Sequence, residues 1–279
     1  MKSKKKAIGI SLIMLVVAVT RADAQTSEIS NLFRNLEARP VGGKPGTVDE
    51  AEPVLERLTL ASRESVAGDL PAILHAANDP HVSVRRVAAS ALYEITTRSD
   101  GPGLLSTETA TFDALLTDID IPIRRITIMS IGTLRPNANS PLVPVLEAFL
   151  PREDAVSTIG PAVAPVLMEA APTKLDATNA VAQYMRRKDQ TSETRDSLLN
   201  SIQLVKGSHH EIGAELAKEV MAYADDPNEQ TSVHAIGTLQ SLGKDAILDS
   251  QQSLSRIAAD TTRAPSVRTA ATKALSVVQ

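Results

Sequence analysis

The sequence predicts an all-α fold, a solenoid of about six helical hairpins, and three observations carry that expectation. The 279-residue chain is 43% hydrophobic but only 2% aromatic, with three Phe, three Tyr and no Trp or Cys, so Ala, Leu, Ile and Val must fill its core. Such small side chains suit many thin layers better than one thick aromatic-centred core. Apolar residues recur at helical spacing from about residue 48 onward, with no convincing strand alternation. Finally, the pattern V-R-x-x-A-x-x-A-L occurs at Val84–Leu92 and again at Val267–Leu275, and a closely similar stretch runs from Ile123 to Leu134.

The first elements come before the repeats. Lys2, Lys4, Lys5 and Lys6 precede an uncharged run from Ala7 to Thr20, and Ala22-Asp23-Ala24 supplies a small-x-small site, so residues 1–24 are expected to be a cleaved secretory signal. The apolar run is shorter than the roughly 20 residues that span a bilayer, and there is no Cys to carry a lipid. The expected protein is then periplasmic or secreted, with no membrane span after cleavage. Removing the signal leaves 24 basic against 32 acidic residues, a net charge of −8 that argues against nucleic-acid binding. Residues 25–47 form an N-terminal segment with one amphipathic stretch (Ile29, Leu32, Phe33, Leu36) and a Pro/Gly linker at Pro40–Gly46. Thr47 to Glu50 has the spacing of a capping box and opens the repeat domain, expected over 48–279.

Within that domain, the residues equivalent to Leu92 are Ile131, Leu167, Ile202, Ile236 and Leu275, at spacings of 39, 36, 35, 34 and 39. In the first copy Val84, Val87, Ala88, Ala91, Leu92 and Ile95 line one helix face. Each such helix follows another amphipathic segment: Val66–Ala77, Thr107–Thr117, Pro141–Leu150, Lys174–Arg187, His210–Ala224 and Asp245–Ala259. Hairpins of this kind bury their faces only by stacking. Gly160, Pro161 and Pro165 should shorten or kink the helix of the third copy.

Asp79 with Val84-Arg85, Asp118 with Ile123-Arg124, and Val267-Arg268 with its downstream Ala and Leu positions resemble the HEAT-repeat family, including its short phycobilin-lyase-type variety. The resemblance implies a right-handed, armadillo-like α-solenoid. It also implies a structural ladder in which a turn Asp meets an Arg six residues later, a spacing kept by Asp79/Arg85 and Asp118/Arg124. The other copies depart from it.

The chemistry-bearing motifs are sparse. His209-His210-Glu211 is the densest set of potential metal ligands, but adjacent histidines point about 100° apart on a helix, so no metal site is expected. Ser241-Leu242-Gly243-Lys244 matches S-x-x-K without its partner motifs, and the pairs Asp225-Asp226 and Glu153-Asp154 fall at expected helix boundaries. No catalytic residue, cofactor site or cofactor is assigned. A stripe five residues after each repeat's first apolar position, and one turn beyond, contains Tyr93, Ile128, Met168, Leu199 and Val233. With Arg86 and Arg125 it forms the expected groove for a protein or peptide partner of the cell envelope, on the concave surface that second helices line. The function expected is an exported, non-catalytic scaffold; the alternative is a periplasmic, hydrolase-like enzyme whose site assembles only in three dimensions. A third option is docking through the terminal repeat, which ends at Val277-Val278-Gln279 without a polar cap.

Overall fold

The computed structural model describes residues 69–154, 158–172, 174–207 and 214–278. The expected signal, linker and first capping box, and His209-His210-Glu211, lie outside them. Among the described residues the regular structure is helical, with fourteen α-helices, one short 3-10 turn and no strand. They fall into two compact units, one ending at Leu134 and the other running from Arg135.

In the first unit, α1 (Leu70–Ala76) packs on α2 (Val82–Thr96), and α4 (Thr109–Leu116) packs on α5 (Ile121–Leu134). A short α3 (Gly101–Leu105) bridges the hairpins, and α2 lies against α5. The expected face of α2 is buried throughout: Val84, Val87, Ala88, Ala91, Leu92 and Ile95. Ala88 and Ala91 let neighbouring helices approach closely, which is why small residues recur there.

The second unit contains α6 (Leu142–Phe149), α7 (Ile159–Ala170), α8 (Leu175–Met185), α9 (Ser192–Gly207), α10 (Ala214–Tyr223) and α11 (Glu229–Leu242). It closes with α12 (Lys244–Asp249), α13 (Gln251–Ala259) and α14 (Pro265–Leu275). The second helices α7, α9, α11 and α14 pack in chain order, and the first helices α6, α8, α10 and α12 form a parallel row. The last first helix, expected to be continuous over Asp245–Ala259, is broken at Ser250. Gly243 separates α11 from α12 at φ 111° and ψ −176°, a conformation open essentially to glycine alone.

Phe112, Phe149, Tyr184 and Tyr223 all lie buried in first helices, as their positions in the repeat suggest. The Tyr184 hydroxyl donates to Asp154 O at 3.2 Å, and that of Tyr223 donates to Met185 O at 2.7 Å, each reaching back to the preceding hairpin. Burial, reinforced by the Glu153 charge, pushes the Tyr184 hydroxyl up to about 12 despite the opposing charge of Arg187. Gly160 is required where it stands, because a Cβ there would overlap the Tyr184 ring.

α7 continues through Pro165, although it is shorter than α5, α9 and α11. Proline removes the N–H that would serve the carbonyl four residues earlier, that of Pro161. Ser201 on α9 replaces it: its Oγ lies 3.0 Å from the buried Pro161 O and 2.9 Å from Ser197 O in its own helix, so a single hydroxyl proton is shared between the two carbonyls. The expected defect is thus satisfied from the neighbouring repeat. Ser201→Ala should cost about 1–3 kcal/mol by urea unfolding, since it leaves a buried acceptor unmet. In a Pro165→Ala background, which restores the N–H, the same change should cost less; equal costs in both backgrounds would refute the compensation.

Candidate binding surface

The surface is determined by which charged groups are used between repeats. Four turn aspartates bend the chain into the second helix of a hairpin by accepting the backbone N–H two residues on: Asp79 from His81 (2.7 Å), Asp118 from Asp120 (2.9 Å), Asp226 from Asn228 (2.8 Å) and Asp260 from Thr262 (3.0 Å). This Asx turn fixes the carboxylate beside the helix start. For Asp118 and Asp226, the arginine at the fourth position of the preceding second helix then binds the carboxylate. Arg85 donates through Nε to Asp118 Oδ2 at 2.5 Å and through Nη2 to Asp118 Oδ1 at 3.1 Å. Arg195 donates to Asp226 and also lies 5.6 Å from the Tyr223 ring centroid.

The expected pairing within a repeat is therefore corrected. Arg85 reaches its own turn only through the main chain, donating to Asp79 O at 2.8 Å and Pro80 O at 3.0 Å. The Asp79 carboxylate turns to His81, whose Nδ1 stands 2.8 Å away. Arg124 occupies the same fourth helical position as Arg85 and is half-buried. The rung at Arg195 and Asp226 was missed because the fifth repeat begins three residues later than the spacing of Ile236 suggests. The dipeptide Asp226-Pro227, matching Asp79-Pro80, was the available signal.

Arg86, expected to face a partner, instead donates through Nε to both carboxylate oxygens of Asp120 at 3.1 Å, with Nη2 also bonded to Oδ2. Burial alone would push the Asp120 carboxyl up, but hydrogen bonds from Arg86 and the Ile123 N–H, with the charges of Arg86 and Arg85, hold it below the usual carboxylate range. Hydrogen bonding to Asp118 raises Arg85, and hydrogen bonding to Asp120 raises Arg86, above their ordinary value against the opposing effect of burial.

The expected apolar groove is also corrected. Ile128 and Met168 are 3% exposed and Leu199 is 0% exposed, so they are core. A second helix within a stack is covered on both flanks as well as on its inner face, leaving a narrower free arc. That arc lies about one residue along, at Ser90 and Met129 in the first unit and at Asn200 in the second. Tyr93 and Val233 are half-buried, and Arg125 is exposed. Val233 lines an open depression of about 620 Å³ with Asn228, Glu229, Gln230, His234 and Ser266. His234 Nδ1 stands 3.4 Å from Asp196 Oδ1 across α11 and α9. On α5, Ile121, Arg125 and Met129 share one face at four-residue spacing, and both apolar members are 48% exposed. Ile119 in the turn before them is 91% exposed.

The remaining motifs have local roles. Ser241 donates to Thr238 O at 2.7 Å, while Lys244 is exposed beyond the Gly243 break. Asp225 pairs with Arg256 and Arg263 at 2.7 and 2.6 Å. Among the described residues no group of three or more His, Cys, Asp or Glu has metal-binding geometry.

Because the folded Asp120 carboxyl lies below its unfolded value near 4, its stabilising contribution is present above that value and lost as pH falls through the folded one. Urea unfolding of wild type should show this acid loss, and Arg86→Met should flatten that part of the profile. Parallel profiles would rule out the pair as its source.

In comparisons with known proteins, residues 70–99, which contain the first described hairpin, match the HEAT repeat family model. No curated protein matches the chain. Among solved structures, a designed armadillo repeat protein is similar at 13% identity, covering 90% of this chain and 100% of its own, with a TM-score of 0.37. The crystal structure of an engineered protein is similar at 16% identity, covering 90% of this chain and 96% of its own, with a TM-score of 0.33. The chain is thus an all-α helical-repeat protein whose first described hairpin is similar to a HEAT repeat.

Proposed function

We propose that the chain is an exported, non-catalytic repeat scaffold that binds a protein or peptide of the cell envelope along the exposed arc of its second helices. The export assignment rests on the charged start, apolar run and small-x-small site of residues 1–24. The carrying observation for binding is the face of α5. The recurring charges around it, Arg85, Arg86, Asp118 and Asp120, are consumed by bonds between repeats. Ile121 and Met129 remain half exposed on either side of Arg125, with Ile119 beside them.

Exposed apolar side chains grouped on one helix face suit an amphipathic segment that supplies apolar anchors. The arc is smaller than the groove expected from sequence, because three of that groove's five apolar residues belong to the core. Binding by a few anchors is compatible with a short contact face.

Met129→Glu combined with Ile121→Ser should leave helical circular dichroism and melting unchanged, since both side chains are half exposed. Capture of partners from an envelope fraction should fall at least about tenfold, corresponding to 1.4 kcal/mol. Undiminished capture by the folded double variant would sink this placement of the site.

A further inference from the structure

The exposed arc of the second unit crosses a glycine. Counted from the helix start, Asn200 is the ninth residue of α9, Gly237 of α11 and Lys273 of α14, and α11 packs between the other two helices. Asn200 and Lys273 are exposed, so Gly237 forms a notch between two polar side chains. A glycine inside a helix is less stable than an alanine, because it has more backbone freedom to lose on folding. Nothing within the protein requires it here. A Cβ on Gly237 would meet no atom within 4 Å outside its own stretch of helix, whereas one on Gly160 would overlap the Tyr184 ring. Nor does Gly237 share the positive φ that reserves Gly243 for glycine. The reason for the missing side chain therefore lies outside the molecule, in something that approaches the helix surface closely.

The notch continues into the open depression at the start of α11. Val233 and His234, one turn before Gly237, line that depression with Asn228, Glu229, Gln230 and Ser266, and no Lys or Arg takes part. Its formal charges are the Glu229 carboxylate and, behind His234, that of Asp196, whose Oδ1 lies 3.4 Å from His234 Nδ1. The starts of α11 and α14 add about half a positive charge each, which the two carboxylates outweigh.

We propose that an extended segment of a partner protein crosses α11 with its main chain against Gly237 and places a Lys or Arg side chain in the depression beside Glu229 and Asp196. Charge complementarity selects the basic side chain, and the bare helix surface selects close approach of a main chain. The Asn200 amide and the Lys273 ammonium flank the notch as donors for the carbonyls of that segment. The inference rests on the second-helix arc being the binding surface, and adds to it a contact in the second unit and the charge of the occupant.

A random nonapeptide library displayed on phage and selected on the purified protein tests this. Enriched peptides should contain Lys or Arg, and should lose affinity when norleucine replaces that residue. Synthesised singly, they should bind wild type and the Met129→Glu/Ile121→Ser variant alike, and bind Gly237→Ala at least about tenfold more weakly. Gly237→Ala should also unfold at higher urea than wild type, which separates the loss of binding from any loss of fold. Glu229→Gln combined with Asp196→Asn should weaken the same peptides with unchanged circular dichroism. Enrichment of no peptide, peptides without a basic residue, undiminished binding to Gly237→Ala, or a Gly237→Ala protein less stable than wild type would each overturn the proposal. Peptides lost only to Met129→Glu/Ile121→Ser would overturn it too, while leaving the arc on α5 as the binding surface.

Discussion

An arginine on the second helix of one repeat binding the turn aspartate of the next is the interaction from which much else in the structure follows. Stacked hairpins lined by Ala, Val, Leu and Ile have interfaces that are apolar and similar to one another, so apolar burial alone discriminates weakly between registers. A charged fork that must meet one carboxylate adds a directional requirement. The Asx turn makes that requirement affordable, because the side chain of Asp118 or Asp226 is already oriented by a backbone N–H before the arginine arrives. Desolvating the charges offsets much of the attraction, so the ladder contributes more to the uniqueness of the stack than to its net stability.

The same logic extends to the main chain. Helix ends expose carbonyls with no intrahelical donor. In the second unit those carbonyls are met from the next repeat: Tyr184 serves Asp154 O, Tyr223 serves Met185 O, and Arg263 serves Ala224 O at 3.1 Å. Ser201 does likewise for the acceptor that Pro165 leaves inside α7. A chain with so few aromatics thus places two of its three tyrosines where a buried hydroxyl meets a carbonyl of the neighbouring repeat. What remains outward is the opposite in character: on α5 the fixed charges lie at the flank, and the free arc is apolar around Arg125.

Much of this was legible in the sequence. The buried face of α2 is the face its periodicity defines, and five of the six residues aligned with Leu92, that residue included, are buried, with Leu275 on α14 the exception. The Asp-to-Arg spacing of six correctly marked Asp118 and Arg85 as ladder residues but suggested partners within a repeat, because a contact across about one repeat length leaves no local spacing to read. Ile128 and Leu199 were misplaced for a related reason: a helical wheel shows the angle between a residue and the core, but not how much of the flank a neighbour covers. The register of α11 slipped because equivalents were counted from one apolar position, whereas the turn before the helix determines where the repeat begins.

The most direct measurement of the ladder's role is a double-mutant cycle on Arg195 and Asp226, using Arg195→Met and Asp226→Asn and urea unfolding. Asparagine retains the turn-forming oxygen, so the cycle isolates the charged pair. The account predicts that each single change destabilises by about 2 kcal/mol or more, and that the double variant is more stable than the sum of the two losses implies, with a coupling of about 1–3 kcal/mol. Strict additivity would contradict it, showing that the arginine and the aspartate act separately and that apolar packing alone holds the repeats in register.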